Sequence, residues 1–466
     1  LDWPTLATPI RALISAGSFE YVELADFRIF VEDEKASTRW QAYPVAGVWR
    51  ANPDGVSLHL DMQLVGRSDP NRVRILLNAD GEVSTASGRL ALEGVDPLGL
   101  ATVFGYGGDD FESTRPANAE FEIAASEASG LTSARLSLSD VTGRGALGGL
   151  VWDVRSLAVS AAFDPESRSI LIDRFAVDSE RMGGAVSARF DIGRVLDGEL
   201  DEAIPFEIAG NDFSLSAQPV FEDVWRFEAA DVAGTIDLAT RRMDFNRINL
   251  SSGGFNVDGA AELWLARTED GGDQLGAKVE ATATGAATKE TVLAFWPVGL
   301  GADGRDWVRD NILAGDVTSA DFVMDWPPGA NAQGFLPNEH LTLEFDVERA
   351  TVQIMDDLPP ARNVTARGHM EGNSLRVDVT SGSMSRWRVD DAEVELPRFH
   401  PKGAEMKIVA SGQGPFLDLM QVLDRSELNI GEEYGLQIEG MSGEGGLEVE
   451  FIRPMLRDVP DEDLRY

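Results

Sequence analysis

Apolar and polar residues alternate with a period of two, and the alternation restarts again and again from about residue 19 to the end of the chain. Residues 341–347, LTLEFDV, are the clearest case: Leu341, Leu343, Phe345 and Val347 point to one side and Thr342, Glu344 and Asp346 to the other. Strands of this kind, separated by Gly, Asp and Asn turns with few helices between them, build a sheet with one apolar and one acidic face. What covers the apolar face is the functional question.

By length the 466 residues would make about three average domains. Repetitive β architectures escape that prior, because each repeat contacts mainly its neighbours and the chain grows in one dimension. The formal net charge of -39 repels phosphate backbones and argues against a nucleic-acid partner. Basic clusters suited to anionic membrane surfaces are missing as well. With no Cys there are no disulfides, no thiol catalysis and no Cys-ligated metal. No apolar run approaches the roughly 18 residues that span a bilayer, and no signal peptide is visible. The sequence starts on Leu1 and stops without a terminating signature, so the native chain is expected to extend beyond both ends.

Residues 5–16 carry Leu6, Ile10, Leu13 and Ile14 at helical spacing with Gly17 as a stop, which predicts an amphipathic helix over 1–18. Strands are expected at 19–31, 46–50, 56–65, 73–77, 89–92, 120–124 and 134–138. Beyond Trp152 three segments, 169–190, 242–263 and 375–396, share one plan: strand, Gly or Ser turn, strand. Helical patches are expected at 289–296, ended by Pro297, at 303–313 with Trp307, Val308, Ile312 and Leu313 on one stripe, and at 415–423. The segments are therefore a helix at 1–18, a β segment at 19–285, a helical insertion at 286–330 and a second β segment at 331–466, read as one continuous body.

Chemical motifs fare poorly. Residues 143–148, GRGALG, match a dinucleotide fingerprint, but the residues that follow read as strand where the motif needs a helix N-terminus. His59, His340, His369 and His400 lie far apart in sequence, so no local zinc pair forms, and no G-x-S-x-G elbow accompanies them. The acidic loops 109–112, 269–273 and 458–463 lack the spaced ligands of a calcium loop. No cofactor, metal or catalytic residue is expected. The apolar strand faces stand out instead: either they form the closed core between two sheets, or one curled sheet exposes them as a groove.

Residues 294–297 (AFWP), 304–312 (GRDWVRDNI) and 315–322 (GDVTSADF) resemble a sequence block of the AsmA-like superfamily, nearest its YhdP branch. Residues 414–423 (GPFLDLMQVL), 440–451 (GMSGEGGLEVEF) and 453–456 (RPML) resemble the helix and following strand of the same family. The detailed resemblance covers about 285–460. It implies a mainly β fold, an elongated, curled, repetitive antiparallel sheet with a few short capping helices. It also implies a periplasmic, non-enzymatic body, held at the inner membrane by an anchor absent from this sequence, that moves phospholipid towards the outer membrane, with outer-membrane or periplasmic proteins as further partners. On this reading phospholipid acyl chains would lie against Ile170, Ile172, Phe175, Phe255, Val257, Leu263, Leu341, Leu343, Phe345, Val377, Val379 and Val394. Phe295, Trp296, Trp307, Ile312, Phe416, Leu419 and Met420 would belong to capping or gating helices. The alternatives are a scaffold for outer-membrane protein assembly that binds an extended polypeptide, a carbohydrate-active β-helix enzyme, and a surface adhesin.

Overall fold

A computed structural model describes residues 20–33, 38–52, 54–65, 71–95, 111–147, 150–199, 202–267, 272–330, 337–354, 358–425 and 434–455, together with Thr8, Arg11, Ala12 and Gly431. It divides into two compact units, Leu1–Leu215 and Ser216–Tyr466. The expected N-terminal helix lies mostly outside the described residues; Thr8, Arg11 and Ala12 are helical and exposed.

The first unit contains β1 (Tyr21–Asp33), β2 (Thr38–Asn52), β3 (Gly55–Val65), β4 (Asn71–Asp80), β5 (Thr85–Val95), β6 (Phe111–Arg115), β7 (Ala117–Ser126), β8 (Gly130–Leu147), β9 (Leu150–Asp164), β10 (Ser169–Ser179) and β11 (Met182–Asp191), the short helix α1 (Gly193–Leu196), and β12 (Ile204–Ser216). Each strand runs antiparallel to the next, save that β5 pairs with β7 and β6 with β8.

The second unit contains β13 (Val224–Asp237), β14 (Arg242–Ser252), β15 (Phe255–Arg267), β16 (Asp273–Thr288), the helices α2 (Lys289–Phe295) and α3 (Ala302–Asn311), β17 (Ile312–Trp326), β18 (Leu341–Val352), β19 (Ala361–Glu371), β20 (Ser374–Met384), β21 (Trp387–Leu396), β22 (Glu405–Pro415), α4 (Phe416–Arg425) and β23 (Glu444–Pro454). It is an unbroken antiparallel meander from β13 to β23. In neither unit do the first and last strands pair among the described residues, so neither sheet closes on itself.

The three sequence repeats are the hairpins β10–β11, β14–β15 and β20–β21, each turning in two residues. Gly253 and Gly254, at φ +58° and +80°, form the β14–β15 turn; two successive positive φ values match the right-handed twist of the flanking strands and favour glycine. Residues 143–147, the first part of the GRGALG match, lie in β8 and pair with β9.

Two expectations are corrected. Ile312 is not helical: α3 stops at Asn311, and Ile312 takes φ -85°, ψ 106° and opens β17 opposite Val352. The apolar stripe expected on the same helix is not its buried face. Trp307 and Leu313 are 45% and 52% exposed while Arg305 is 4% exposed, because the Arg305 guanidinium reaches Glu222 and the Leu293 carbonyl.

A row of β-bulges crosses each sheet. In the second unit the register slips at Thr284/Ala287, Val317/Ser319, Val347/Ala350 and Arg362/Thr365, then at Val389/Asp391. The helices α2, α3 and α4 lie beyond the same ends of the strands. In the first unit slips fall at Ala42/Val45, Leu92/Val95 and Leu138/Val141. Asp26, Asp140, Asp212, Arg349 and Asn363 take positive φ at or beside such slips. Each bulge bends its strand and increases local twist, so the row bends the sheet along one line.

Candidate functional site

The cross-strand register turns the period-two pattern into continuous apolar rows. In the second unit one row passes through every strand: Ala230, Leu250, Val257, Ala283, Ala320, Phe345, Gly368, Val377, Val394, Ile408 and Phe451. Of the residues picked from sequence, Val257, Phe345, Val377 and Val394 share this row. Leu343 stands on the row to one side, between Phe322 and Met370. Val379 stands on the row to the other side, between Ala366 and Ala392. Phe255 and Leu263 lie on the same face of β15, and Leu341 on the same face of β18, at the ends of these rows.

The first unit repeats the arrangement. Leu60, Ile75, Leu90, Phe121, Leu136, Ala161, Ile172, Ala188 and Ile208 are successive cross-strand partners from β3 to β12. Ile170 sits in the neighbouring row between Phe163 and Phe190, and Phe175 in another between Val159 and Val186.

Among the described residues, the strands of each unit contact chiefly their sheet neighbours and, at a few points, a short helix. The largest fully buried side chains among the described residues are Val45, Val83, Val141 and Ser169. Along the strip Phe345, Leu343, Val377 and Val379 are half-buried, while Leu341 at its end is buried, 3% exposed; a closed sandwich would bury the middle of the strip as fully as that end.

The opposite face is charged. Arg367 pairs with Asp346 at 2.8 Å, Arg376 with Glu393 at 3.1 Å, and His369 lies 3.4 Å from both Glu344 and Glu371. Arg367, and after it Ser319, hold the Asp346 carboxyl below the usual carboxylate range. Pairs this exposed contribute little stability each; their use is to keep one face wet.

The short helices touch the apolar side at the bulged ends of the strands. Thr288 caps α2, its side chain accepting from Thr291 N–H. Phe295 of α2 stacks on Trp225 at 5.3 Å between ring centroids, and lies 6.2 Å from Phe227 and 6.3 Å from Phe255. Trp225 Nε1 donates to the Ala294 carbonyl at 2.9 Å. Trp296, the residue after α2, donates from Nε1 to the Leu300 carbonyl at 2.6 Å. On α4, Met420 is buried, Leu419 half-buried and Phe416 exposed. Trp387 Nε1 of β21 donates to the carbonyl of Pro415, just ahead of this helix, at 2.8 Å, and Arg386, in the β20–β21 turn, donates from Nε to Asp418 of the helix at 2.6 Å.

Among the described residues no group of His, Asp and Glu is placed to hold a metal ion, and no helix is long and apolar enough to cross a membrane. A family model described as YhdP protein matches residues 192–461, more than half of the chain. The chain belongs to the YhdP family. The match takes in β13 to β23 and all three helices from α2 to α4, so the row through Val257 and Phe345 is a feature of the family-matched region. No curated protein matches the chain, and no solved structure matches it. Sequence reasoning missed Arg305; a charged residue among Trp307, Val308 and Ile312 could have flagged it.

Proposed function

We propose that the protein is a non-enzymatic carrier of phospholipid between the inner and outer membranes, working in the periplasm, with acyl chains lying along the apolar faces of its sheets. One observation carries the reading: the row from Ala230 to Phe451 is apolar in every strand, and Val257, Phe345 and Val377 within it stay only half-buried. An apolar face in water is costly by about 25 cal/mol per Å², and an acyl chain gains about 0.8 kcal/mol for each CH₂ kept from water. A continuous strip therefore suits a long, flexible alkyl ligand better than a compact one. Membership of the YhdP family supports the lipid class. The net charge of -39 keeps such a body off anionic headgroups along its length. Phe255, Val257, Leu263, Leu341, Leu343, Phe345, Val377, Val379 and Val394 would contact acyl chains in the second unit, and Ile170, Ile172 and Phe175 in the first. The α2, α3 and α4 helices, with Phe295, Trp296, Trp307, Phe416, Leu419 and Met420, would cap or gate the strip.

The test is native mass spectrometry with lipid extraction on the purified chain, before and after delipidation. Several phospholipids per chain are expected. A stable chain that carries no lipid and takes none up would overturn the proposal, and a copurifying extended polypeptide would put an assembly scaffold in its place.

A further inference from the structure

The strands of the second unit end on two long edges. On one edge Ile312, Val352, Ala361, Met384 and Trp387 are successive cross-strand partners, and this edge bears the helices. The other edge bears the β21–β22 loop, residues 397–404, which follows Leu396. Trp387 and Leu396 are the ends of a strand of 10 residues, so about 30 Å separates them along the strand. Helix α3 ends beside Ile312 and is 10 residues long, a reach of about 15 Å. Over an unbent sheet its N-terminus would stop far short of the loop. Instead Lys402 Nζ of the loop lies 2.8 Å from Oδ2 of Asp303, in the first turn of α3. The bulge row therefore folds the strands until the two edges face each other. They fold towards the apolar side, since Phe295 of the preceding helix packs on Phe255 of that face. Helix α3 spans the gap.

Both sides of this contact are held in place. Arg305, on the same turn of α3 as Asp303, pairs with Glu222 at 2.8 Å, and Val298 N–H donates to the Val220 carbonyl at 2.9 Å. These bonds fasten the helix pair to the segment ahead of β13. The loop is braced by Asn373 of the β19–β20 turn. The Asn373 carbonyl accepts from Phe399 N–H at 2.7 Å, its Oδ1 accepts from His400 N–H at 2.8 Å, and its Nδ2 donates to the His400 carbonyl at 2.6 Å. The pair between them is of another kind. The Asp303 and Lys402 side chains are 62% and 56% exposed, and an ion pair this exposed is weak. Two braced parts joined by a weak, wet contact can separate without unfolding either one.

We infer that α3 is a crossbar over the apolar trough of the second unit, latched to the β21–β22 loop by Asp303 and Lys402, and that release of this latch admits lipid through the side of the trough. The inference rests on the proposal that the trough carries acyl chains.

The chain has no Cys, so Asp303→Cys with Lys402→Cys supplies two thiols and no others. A short bis-methanethiosulfonate linker joins them, and reductant removes it. Delipidated full chain is mixed with phosphatidylcholine vesicles carrying a pyrene-labelled phospholipid, and uptake is followed by fluorescence. The linked chain is expected to load at least about tenfold more slowly than the same chain after reductant, because uptake scales with the open fraction. Capping both thiols with a monofunctional methanethiosulfonate leaves loading fast. Without any linker, Lys402→Gln quickens loading about two- to fivefold, the range an exposed ion pair supports. The swapped pair, Asp303→Lys with Lys402→Asp, restores the original rate. Failure of the linker to join the two thiols within one chain overturns the inference, because the edges then do not meet. Loading at one rate with and without the linker overturns it as well, and so does an unchanged rate in Lys402→Gln. Each of these results leaves the acyl-chain proposal standing where the unmutated chain loads lipid. An unmutated chain that takes up none overturns both.

Discussion

Phe345 on β18 lies directly over Gly368 on β19: a Cβ placed on Gly368 would come within 2.1 Å of Phe345 Cζ and within 2.6 Å of both ring Cε atoms. The ring fills the space the glycine leaves open, so the row stays apolar where one strand supplies no side chain. This cross-strand pairing of an aromatic with a glycine is a known device for holding register in a sheet. It recurs in aliphatic form in the first unit, where a Cβ on Gly47 would meet Leu60 Cδ2 at 2.5 Å.

Gly368→Ala should therefore push the Phe345 ring off its seat. The expected cost is about 1–3 kcal/mol, as for other small-to-large changes in a packed site. Phe345→Leu in the same chain should recover part of it, because the clash belongs to the pair. Denaturant unfolding of the two single variants and the double variant decides the matter; strictly additive losses would show that the two residues do not act on each other.

A carboxylate in the middle of the row should break it for an alkyl chain without unfolding the sheet. Val257 and Phe345 are half-buried, so Asp at either position keeps contact with water. The expectation is a fall in lipid count per chain by native mass spectrometry, with circular dichroism unchanged. Val45→Asp is the contrasting case. Val45 is 0% exposed among Ala42, Met62 and Val73, and a charge buried there costs several kcal/mol, so that variant should lose the fold of the first unit. Full lipid loading in folded Phe345→Asp would count against the acyl-chain strip.

Asp80 closes the β4–β5 turn. It accepts from Ser84 N–H at 2.7 Å, Ser84 Oγ at 2.6 Å, Thr85 N–H at 2.7 Å and Thr85 Oγ1 at 2.6 Å. The side-chain hydroxyls of Ser84 and Thr85, with the backbone N–H groups after them, hold its carboxyl far below the usual carboxylate range. A depressed folded value means the stabilisation is fully present above the unfolded value of about 4 and is lost as pH falls through the folded value. Asp80→Asn should cost about 1–3 kcal/mol near neutrality and make the acid side of the stability curve shallower. Thermal unfolding of both chains between pH 7 and pH 2 checks this; identical acid slopes would mean that the turn does not contribute.

Much of the face was legible from the sequence, and for a simple reason. A strand has a side-chain period of two, so the alternation at Leu341, Leu343, Phe345 and Val347 fixes which residues share a face without knowledge of partners. The two-residue hairpins were legible too, since Gly253-Gly254 announces its own turn. The rows were not. Whether Phe345 meets Gly368 or Met370 depends on register, which the bulges set. A bulge is a backbone event: Asp26, Asp140, Asp212 and Asn363 are of the types that tolerate positive φ, but the chain has many other Asp and Asn residues, and Arg349 gives no such hint. Helix α3 misled because its pattern, Trp307, Val308 and Ile312, imitates an apolar stripe. The tertiary partner that decides the buried face, Glu222, lies far away in sequence.

Phe295 is the joint between helix α2 and the apolar face, and it offers a test of whether that helix is a separate moving part. Its ring contacts Trp225, Phe227 and Phe255, and a second direct fastening is the Trp225 Nε1 bond to the Ala294 carbonyl. Phe295→Ala removes apolar contact worth about 1.5–3 kcal/mol, between the helix and β13 or β15. Hydrogen exchange should quicken across residues 289–311 and stay unchanged in β20 to β23, whose pairing does not involve the helix. If α2 gates the strip, lipid uptake by delipidated chain should quicken in the same variant while the amount finally bound stays constant. Faster exchange throughout the second unit would make Phe295 a core residue of the sheet and remove the case for a gate.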